Sequence, residues 1–348
     1  MLLLAITIIF FVVQGLLLLW RKLKPMRRIV VYITFVFGIT YLVDDFLIDP
    51  LVAQYGYGTD PRVIAAVALT MFVPALSVLL TRVVTREGFA DVWIRPHFKG
   101  NVRHYLAAWL LPPVLVAVGA AIYFLCFPSN FDPSMHGAID SMNALAGADK
   151  QMPYSAARPI LFGQLALSVV AAPILNCVAC FGEEWGWRGY LLPRTLEFID
   201  YEKSPRAWKL ALLMVVNGVI WGLWHAPLIA AGHNYGTDYA GQPWLGIAAM
   251  CLFTFSLGVL FSYWSWKSHS CLPGVVGHGA VNGIAAGANF FAVGNPTPLL
   301  GPHAAGVLGG SAFLVAALVV LLIWCRETRE AALARQEAAP QDIQQENK

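Results

Sequence analysis

Long apolar runs separated by short polar clusters dominate this chain. Runs close to the ~20 residues that carry a helix across a bilayer occur at 2–19, 29–48, 63–80, 106–127, 160–192, 210–229, 244–266, 272–292 and 304–325. Asp44 and Asp45 interrupt the second run. The pattern predicts an all-α polytopic membrane helix bundle of about nine transmembrane helices.

Composition narrows the class further. Of 348 residues, 58% are hydrophobic and 12% charged, against the ~45–50% apolar and ~25% charged of soluble domains. A soluble fold of this length has no room for so much apolar side chain. A net charge of +3 supplies no basic face for nucleic acid, so no nucleic-acid partner is expected. The six cysteines lie in or beside apolar runs and read as packing residues rather than a disulfide framework.

Charge placement then predicts orientation. The first run has no basic segment before it and no small-residue cleavage site, and its cations follow it, so it reads as a retained helix with the N-terminus outside. Nine alternating spans put 20 of the 23 basic residues on one side, leaving Arg62, Lys150 and Arg158 on the other. The crowded side is cytoplasmic by the positive-inside rule, and the C-terminus with it. Residues 128–157, rich in Pro, Ser, Asn and Asp, read as an outer loop or cap. The chain divides into helices 1–4 with that loop (1–158), a helical core (159–292), a last helix (293–325) and a polar tail (326–348).

Ionisable groups inside spans are costly and point to function. Here they reduce to Glu183, Glu184, Arg188, His225 and His278, accompanied by Asn217 and Asn282. On a helix Glu184 and Arg188 stand four apart and pair, whereas Glu183 is turned about 140° from Arg188. A carboxylate so placed suits a general base. His225 shares the face of Trp221, and His278 that of Asn282, each by i, i+4 spacing. A single buried histidine is an ordinary packing residue, but two of them with a free glutamate on three helices define a bundle-interior site. Gly279, Gly283 and Gly287 form a small-residue ridge for close helix packing. Cys177 and Cys180 read as structural, and the other histidines, His233 and His303 among them, fall in loops or at span edges and read as incidental. The sequence Gly56 to Asp60 only superficially matches an aspartyl-protease motif, no H-E-x-x-H is present, and Ser311 lacks a suitably placed histidine.

Glu183-Glu184-x-x-x-Arg188, then Trp221-x-x-x-His225, then His278-x-x-x-Asn282, in that order on three late helices, resembles the CPBP family, the type II CAAX prenyl proteases and bacteriocin-processing enzymes. The likeness covers about residues 160–292, and it departs at Trp221, where phenylalanine is commoner. It implies an intramembrane endopeptidase in which Glu183 activates water, His225 holds and polarises that water, His278 and Asn282 stabilise the oxyanion, and Glu184 and Arg188 brace the helix. A metal-free site and a Zn²⁺ site on His225 and His278 both remain open, although two His, one Glu and one Asn fall short of the usual three good protein ligands.

The implied partners are the bilayer and a peptide, or a prenylated or otherwise lipidated protein, with the site open to the cytoplasm of a bacterial plasma membrane. For Glu183 to reach His225, the fifth helix must run through Leu192 so that Glu183 is submerged. Two other readings compete: a catalytically silent binding or immunity protein of the same fold, and a proton-coupled transporter, which the lack of an internal repeat disfavours.

Overall fold

A computed structural model describes residues 24–337, residue 59 excepted. The first apolar run and the end of the polar tail lie outside the described residues. These form helices α1 (Lys24–Val43), α2 (Asp49–Tyr55), α3 (Pro61–Thr70), α4 (Val73–Thr85), α5 (Val102–Cys126), α6 (His136–Ala146) and α7 (Tyr154–Val170). There follow α8 (Ala172–Leu175), α9 (Cys177–Gly186), α10 (Leu192–Phe198), α11 (Ala207–Trp224), α12 (Ala226–Ala230), α13 (Trp244–Ser268), α14 (Leu272–Ile284) and α15 (Ser311–Glu337). No β-strand occurs among the described residues; Phe131 and Ala292 make one isolated bridge.

Six helical stretches among the described residues are long and apolar enough to cross a membrane: Pro25–Tyr55, Pro61–Thr85, Val102–Cys126, Ala207–Trp224, Trp244–Ser268 and Ser311–Arg335. Outward-facing apolar stripes accompany them, as at Leu106, Leu110, Val114 and Val118 of α5. A four-residue repeat of exposed aliphatic side chains is a surface made for lipid.

Two of the expected spans are broken instead of continuous. The fifth is divided among α7, α8 and α9, with Pro173 at the start of α8, where its missing N–H and rigid ring suit a helix start and oppose a helix interior. Beyond α9 the backbone widens into a π turn over Trp187–Leu191 before α10. The eighth stops at Ile284, and a 3₁₀ turn covers Gly287–Phe291. There the carbonyl of Ala285 accepts from Ala304 of the following loop, which replaces the helical bond that would have continued it. The region 128–157, expected as an outer loop or cap, contains the 11-residue α6; Met135 and Ile139 bury against Ala157 and Leu161 of α7. A short amphipathic stretch among turn residues concealed that helix.

The bundle has two distinct ends. At one, Arg28 pairs with Glu87, Arg194 with Glu87 and Asp91, and Lys267 with Glu327, while Cys271 donates its N–H to Trp93. At the other, Asp132 donates to Phe291, Val293 to Asn130, and the Tyr235 hydroxyl to Ala305. One aromatic core between them joins Tyr32 of α1, Trp187, Trp221, Trp224, Phe261, Trp264 and Phe313 of α15, so the first and last described helices share the core of the central ones.

The glycine ridge does its expected work. A Cβ on Gly279 would lie 2.7 Å from the Pro173 carbonyl oxygen, and one on Gly283 would lie 2.8 Å from that of Ser168. Backbone therefore meets backbone where α14 crosses α7 and α8, and α14 is drawn against the helix that leads into Glu183.

Candidate active site

Glu183 and Glu184 open the last turn of α9, and both are buried, Glu183 at 3% exposure and Glu184 at 0%. Their surroundings differ as the spacing predicts. Glu184 Oε1 accepts a 2.8 Å bond from Arg188 Nη1 and a 2.9 Å bond from His278 Nδ1. The Arg188 guanidinium lies 4.1 Å from the centre of the Trp221 ring and 5.3 Å from that of Phe261, where aromatic faces supplement its ion pair. Glu183 has indole N–H groups as its partners: Trp221 Nε1 at 2.9 Å and, less closely, Trp187 Nε1 at 3.4 Å, both to Oε2.

The fifth segment stays helical beyond Leu192 to Phe198, as required, and Glu183 is buried within the bundle. It then shares one cavity of about 350 Å³ with Trp221, His225, His278 and Asn282. Three separate motifs thus converge on a single chamber. Glu184 and Arg188 do not line it. Glu184 stands behind His278, and Arg188 faces a separate void beside Asn217, whose amide donates to Thr195. Among the expected site residues, Glu184 and Arg188 therefore do not border the cavity, and Glu184 touches His278, which does.

The backbone settles one tautomer. His225 Nδ1 lies 2.9 Å from the carbonyl oxygen of Trp221, and a carbonyl only accepts, so Nδ1 carries the proton and Nε2 keeps a lone pair. His278 likewise donates from Nδ1 to the Glu184 carboxylate, with its ring edge-on to Trp221. Asn282 Nδ2 makes a 3.7 Å contact to Cys180 Sγ, which leaves its other N–H uncommitted by that contact.

Two histidines that the sequence reading set aside also line this cavity, His233 and His303. The His233 ring lies parallel to that of His225 with centroids 6.4 Å apart, and its Nδ1 is hydrogen-bonded to the Tyr57 hydroxyl. Tyr57 belongs to the Gly56 to Asp60 segment, so that loop reaches the site even though its motif carries no aspartyl chemistry. His303 Nδ1 accepts the N–H of Ala305 at 3.0 Å, which places the proton of the neutral ring on Nε2. Loops bring these groups in, and no helical spacing encodes them.

The donor set does not fit Zn²⁺. Among the described residues, the group of three or more His, Cys, Asp or Glu whose ligand atoms lie within 4.8 Å of one another is Asp44, Asp45 and Asp49. Glu183, His225 and His278 do not converge in that way, and His278 commits Nδ1 to Glu184. Cys177 and Cys180 are free thiols, and Cys177 Sγ bonds the Pro173 carbonyl, in keeping with a structural role.

Fold and cavity together define an α-helical membrane protein with a buried glutamate–histidine site. Residues 165–284 match the family model "Type II CAAX prenyl endopeptidase Rce1-like". Over 163 residues the chain is 26% identical to a CAAX prenyl protease 2 of Methanococcus maripaludis, an overlap of 46% of this chain and 53% of that protein. The chain thus spans about half the length of that curated relative. In this domain and its three motifs the chain is similar to the type II CAAX prenyl endopeptidases, as the motif order implied.

Proposed function

We propose that this protein is an intramembrane endopeptidase that hydrolyses a peptide bond in a lipidated or membrane-tethered polypeptide, and that Glu183 is its base. The observation that carries this reading is the Glu183 carboxylate: buried, held by two indole N–H groups, free of any cationic side-chain partner among its hydrogen bonds, and open to a cavity shared with His225 and His278.

The chemistry follows from those positions. Glu183 takes a proton from water as the oxygen adds to the scissile carbonyl, while the lone pair on His225 Nε2 accepts the water's other hydrogen and aims it. The resulting oxyanion needs donors, which the free N–H of Asn282 supplies together with His278 when its ring carries two protons. Donors fixed in place before charge develops are the largest contributor to such barriers. Glu183 then returns its proton to the departing amine, so acid and base work balance over the cycle. Glu184 holds His278 in position and neutralises Arg188.

Nine spans with a cytoplasmic C-terminus, in a bacterial plasma membrane, remain the arrangement proposed. It is supported by the alternation of the two ends along the described helices. The direct test is cleavage of an S-farnesylated or acylated quenched peptide by purified protein in detergent or nanodiscs. Loss of at least 10³-fold in Glu183→Gln, with the fold retained, is expected; equal activity of the two proteins removes Glu183 as base.

A further inference from the structure

Two groups in the chamber take no part in the activation of water. His233, on the turn after α12, and His303, on the loop before α15, line it beside Glu183, His225 and Asn282. Each ring commits Nδ1 to a partner outside the cavity lining: His303 accepts the backbone N–H of Ala305 at 3.0 Å, and His233 is bonded to the Tyr57 hydroxyl. A phenol is the stronger acid and a neutral imidazole nitrogen the better acceptor, so the hydroxyl donates. Burial keeps both rings neutral, pushing His233 down to about 3 and His303 to about 4. A neutral imidazole carries one proton, which in both rings is therefore on Nε2. The edge that each leaves to the chamber is an N–H donor.

Glu183 and His225 have the opposite character. Carboxylate oxygens and an Nε2 lone pair are acceptors, and they suit water. Two fixed donors nearby call instead for an acceptor on the substrate. Among the described residues no lysine or arginine lines the cavity, and a substrate carboxylate would enter beside Glu183 without a counter-ion, at a high cost in a buried site. A neutral acceptor fits, and an extended peptide supplies one at every residue. The ring centres of His225 and His233 lie 6.4 Å apart, about the length of two residues of extended chain. We propose that His233 and His303 form a substrate-binding subsite, each donating from Nε2 to a backbone carbonyl oxygen of the polypeptide close to the scissile bond, with Tyr57 as the positioning residue that fixes the proton of His233. The subsite selects an unwound segment, because a helix spends its carbonyls on its own N–H groups. The identity of the bound chain as a substrate rests on the protease reading; the donor pair does not.

Binding can be measured apart from cleavage. Glu183→Gln protein in nanodiscs is titrated against a fluorescent S-farnesylated peptide, with dissociation constants taken from anisotropy, and His233→Phe and His303→Phe are added to it in turn. Each ring is expected to account for about three- to tenfold in affinity, the worth of one neutral hydrogen bond. Gln at either position, whose amide still donates, should recover part of it. A single thioamide, a weaker acceptor, is then placed at each carbonyl of the peptide in turn. One position should weaken binding to Glu183→Gln protein yet cost nothing further once the histidine it meets is replaced by phenylalanine. With Glu183 present, the histidine substitutions should raise KM and leave kcat nearly unchanged, and Tyr57→Phe should do so to a smaller degree. Undiminished affinity in both Phe variants, or thioamide penalties that simply add to theirs, overturns the subsite. Should a Phe variant fail to fold, the lack of any thioamide effect on the Glu183→Gln protein overturns it equally. Histidine-dependent binding without Glu183-dependent cleavage keeps the subsite and removes the protease reading.

Discussion

His278 donates from Nδ1 to the same Glu184 oxygen that receives Arg188, at 2.9 Å and 2.8 Å, so one carboxylate on α9 fixes both a cation on its own helix and an imidazole on α14. Removing it leaves Arg188 buried without its counter-ion. Glu184→Ala is expected to lose about 3–5 kcal/mol of stability, the range for breaking one side of a buried pair, read as a fall in the thermal midpoint in detergent. Activity should fall with it. Glu184→Gln keeps an acceptor for His278 and should recover part of both.

Trp221 differs from the phenylalanine that is commoner at this place in the family, and its indole N–H bonds Glu183 at 2.9 Å. Trp221→Phe removes that bond and keeps an aromatic ring for Arg188 and His278. Hydrogen bonds to charged groups contribute about 1.5–3 kcal/mol. The expected outcome is a folded protein with peptide cleavage reduced about tenfold or more in kcat/KM; unchanged kinetics would show that the indole serves packing alone.

Tyr57 reaches His233 from a loop remote in sequence. Tyr57→Phe should leave the thermal midpoint within a few degrees, as befits the loss of about 0.5–1.5 kcal/mol for one neutral hydrogen bond. Cleavage should suffer more than stability. A variant with wild-type cleavage would confine His233 to the wall of the cavity.

Gly279 faces backbone, and backbone cannot step aside as a flexible side chain can. With the Pro173 oxygen 2.7 Å from the position of a Cβ, Gly279→Ala is expected to cost about 1–3 kcal/mol, as overpacking does. Thermal unfolding measures it. Gly163, whose added Cβ meets nothing within 4 Å, is the internal control, and Gly163→Ala should be neutral or slightly stabilising in its helix.

The three helices that supply Glu183, His225 and His278 do not converge their ligand atoms as a Zn²⁺ site demands. Cleavage is therefore expected to persist in the presence of EDTA or 1,10-phenanthroline, with no stoichiometric zinc in purified protein by elemental analysis. Inhibition reversed by added Zn²⁺ would overturn this.

Much of the site could be read from spacing alone. Glu184 with Arg188, Trp221 with His225, and the free carboxylate of Glu183 are consequences of helical periodicity, which is local and survives in any context that keeps the helix. His233, His303 and Tyr57 could not be found that way, because they reach the cavity through loop paths set by tertiary packing. The same limit applies to the fold. Apolar length located the membrane segments, but the breaks in the fifth and eighth depend on whether a carbonyl such as that of Ala285 finds an alternative donor across the bundle, which no single stretch of sequence states. Residues 128–157 hid α6 for a related reason: one short amphipathic turn-rich stretch differs little from a loop until a partner such as Leu161 covers it.

The π turn at Trp187–Leu191 amounts to a single-residue insertion in an otherwise α-helical path, and one residue corresponds to about 100° of rotation. Upstream, the helix presents Glu183 and Glu184 inward; downstream, it presents Arg194 to Glu87. The bulge therefore works as a phase shifter between two duties of one helix. Loss of one residue from it would restore regular hydrogen bonding yet leave either the chamber or the basic anchor facing the wrong way. Length in that turn is thus as constrained as the identity of the glutamates, and alterations there should be tolerated only as substitutions, never as indels.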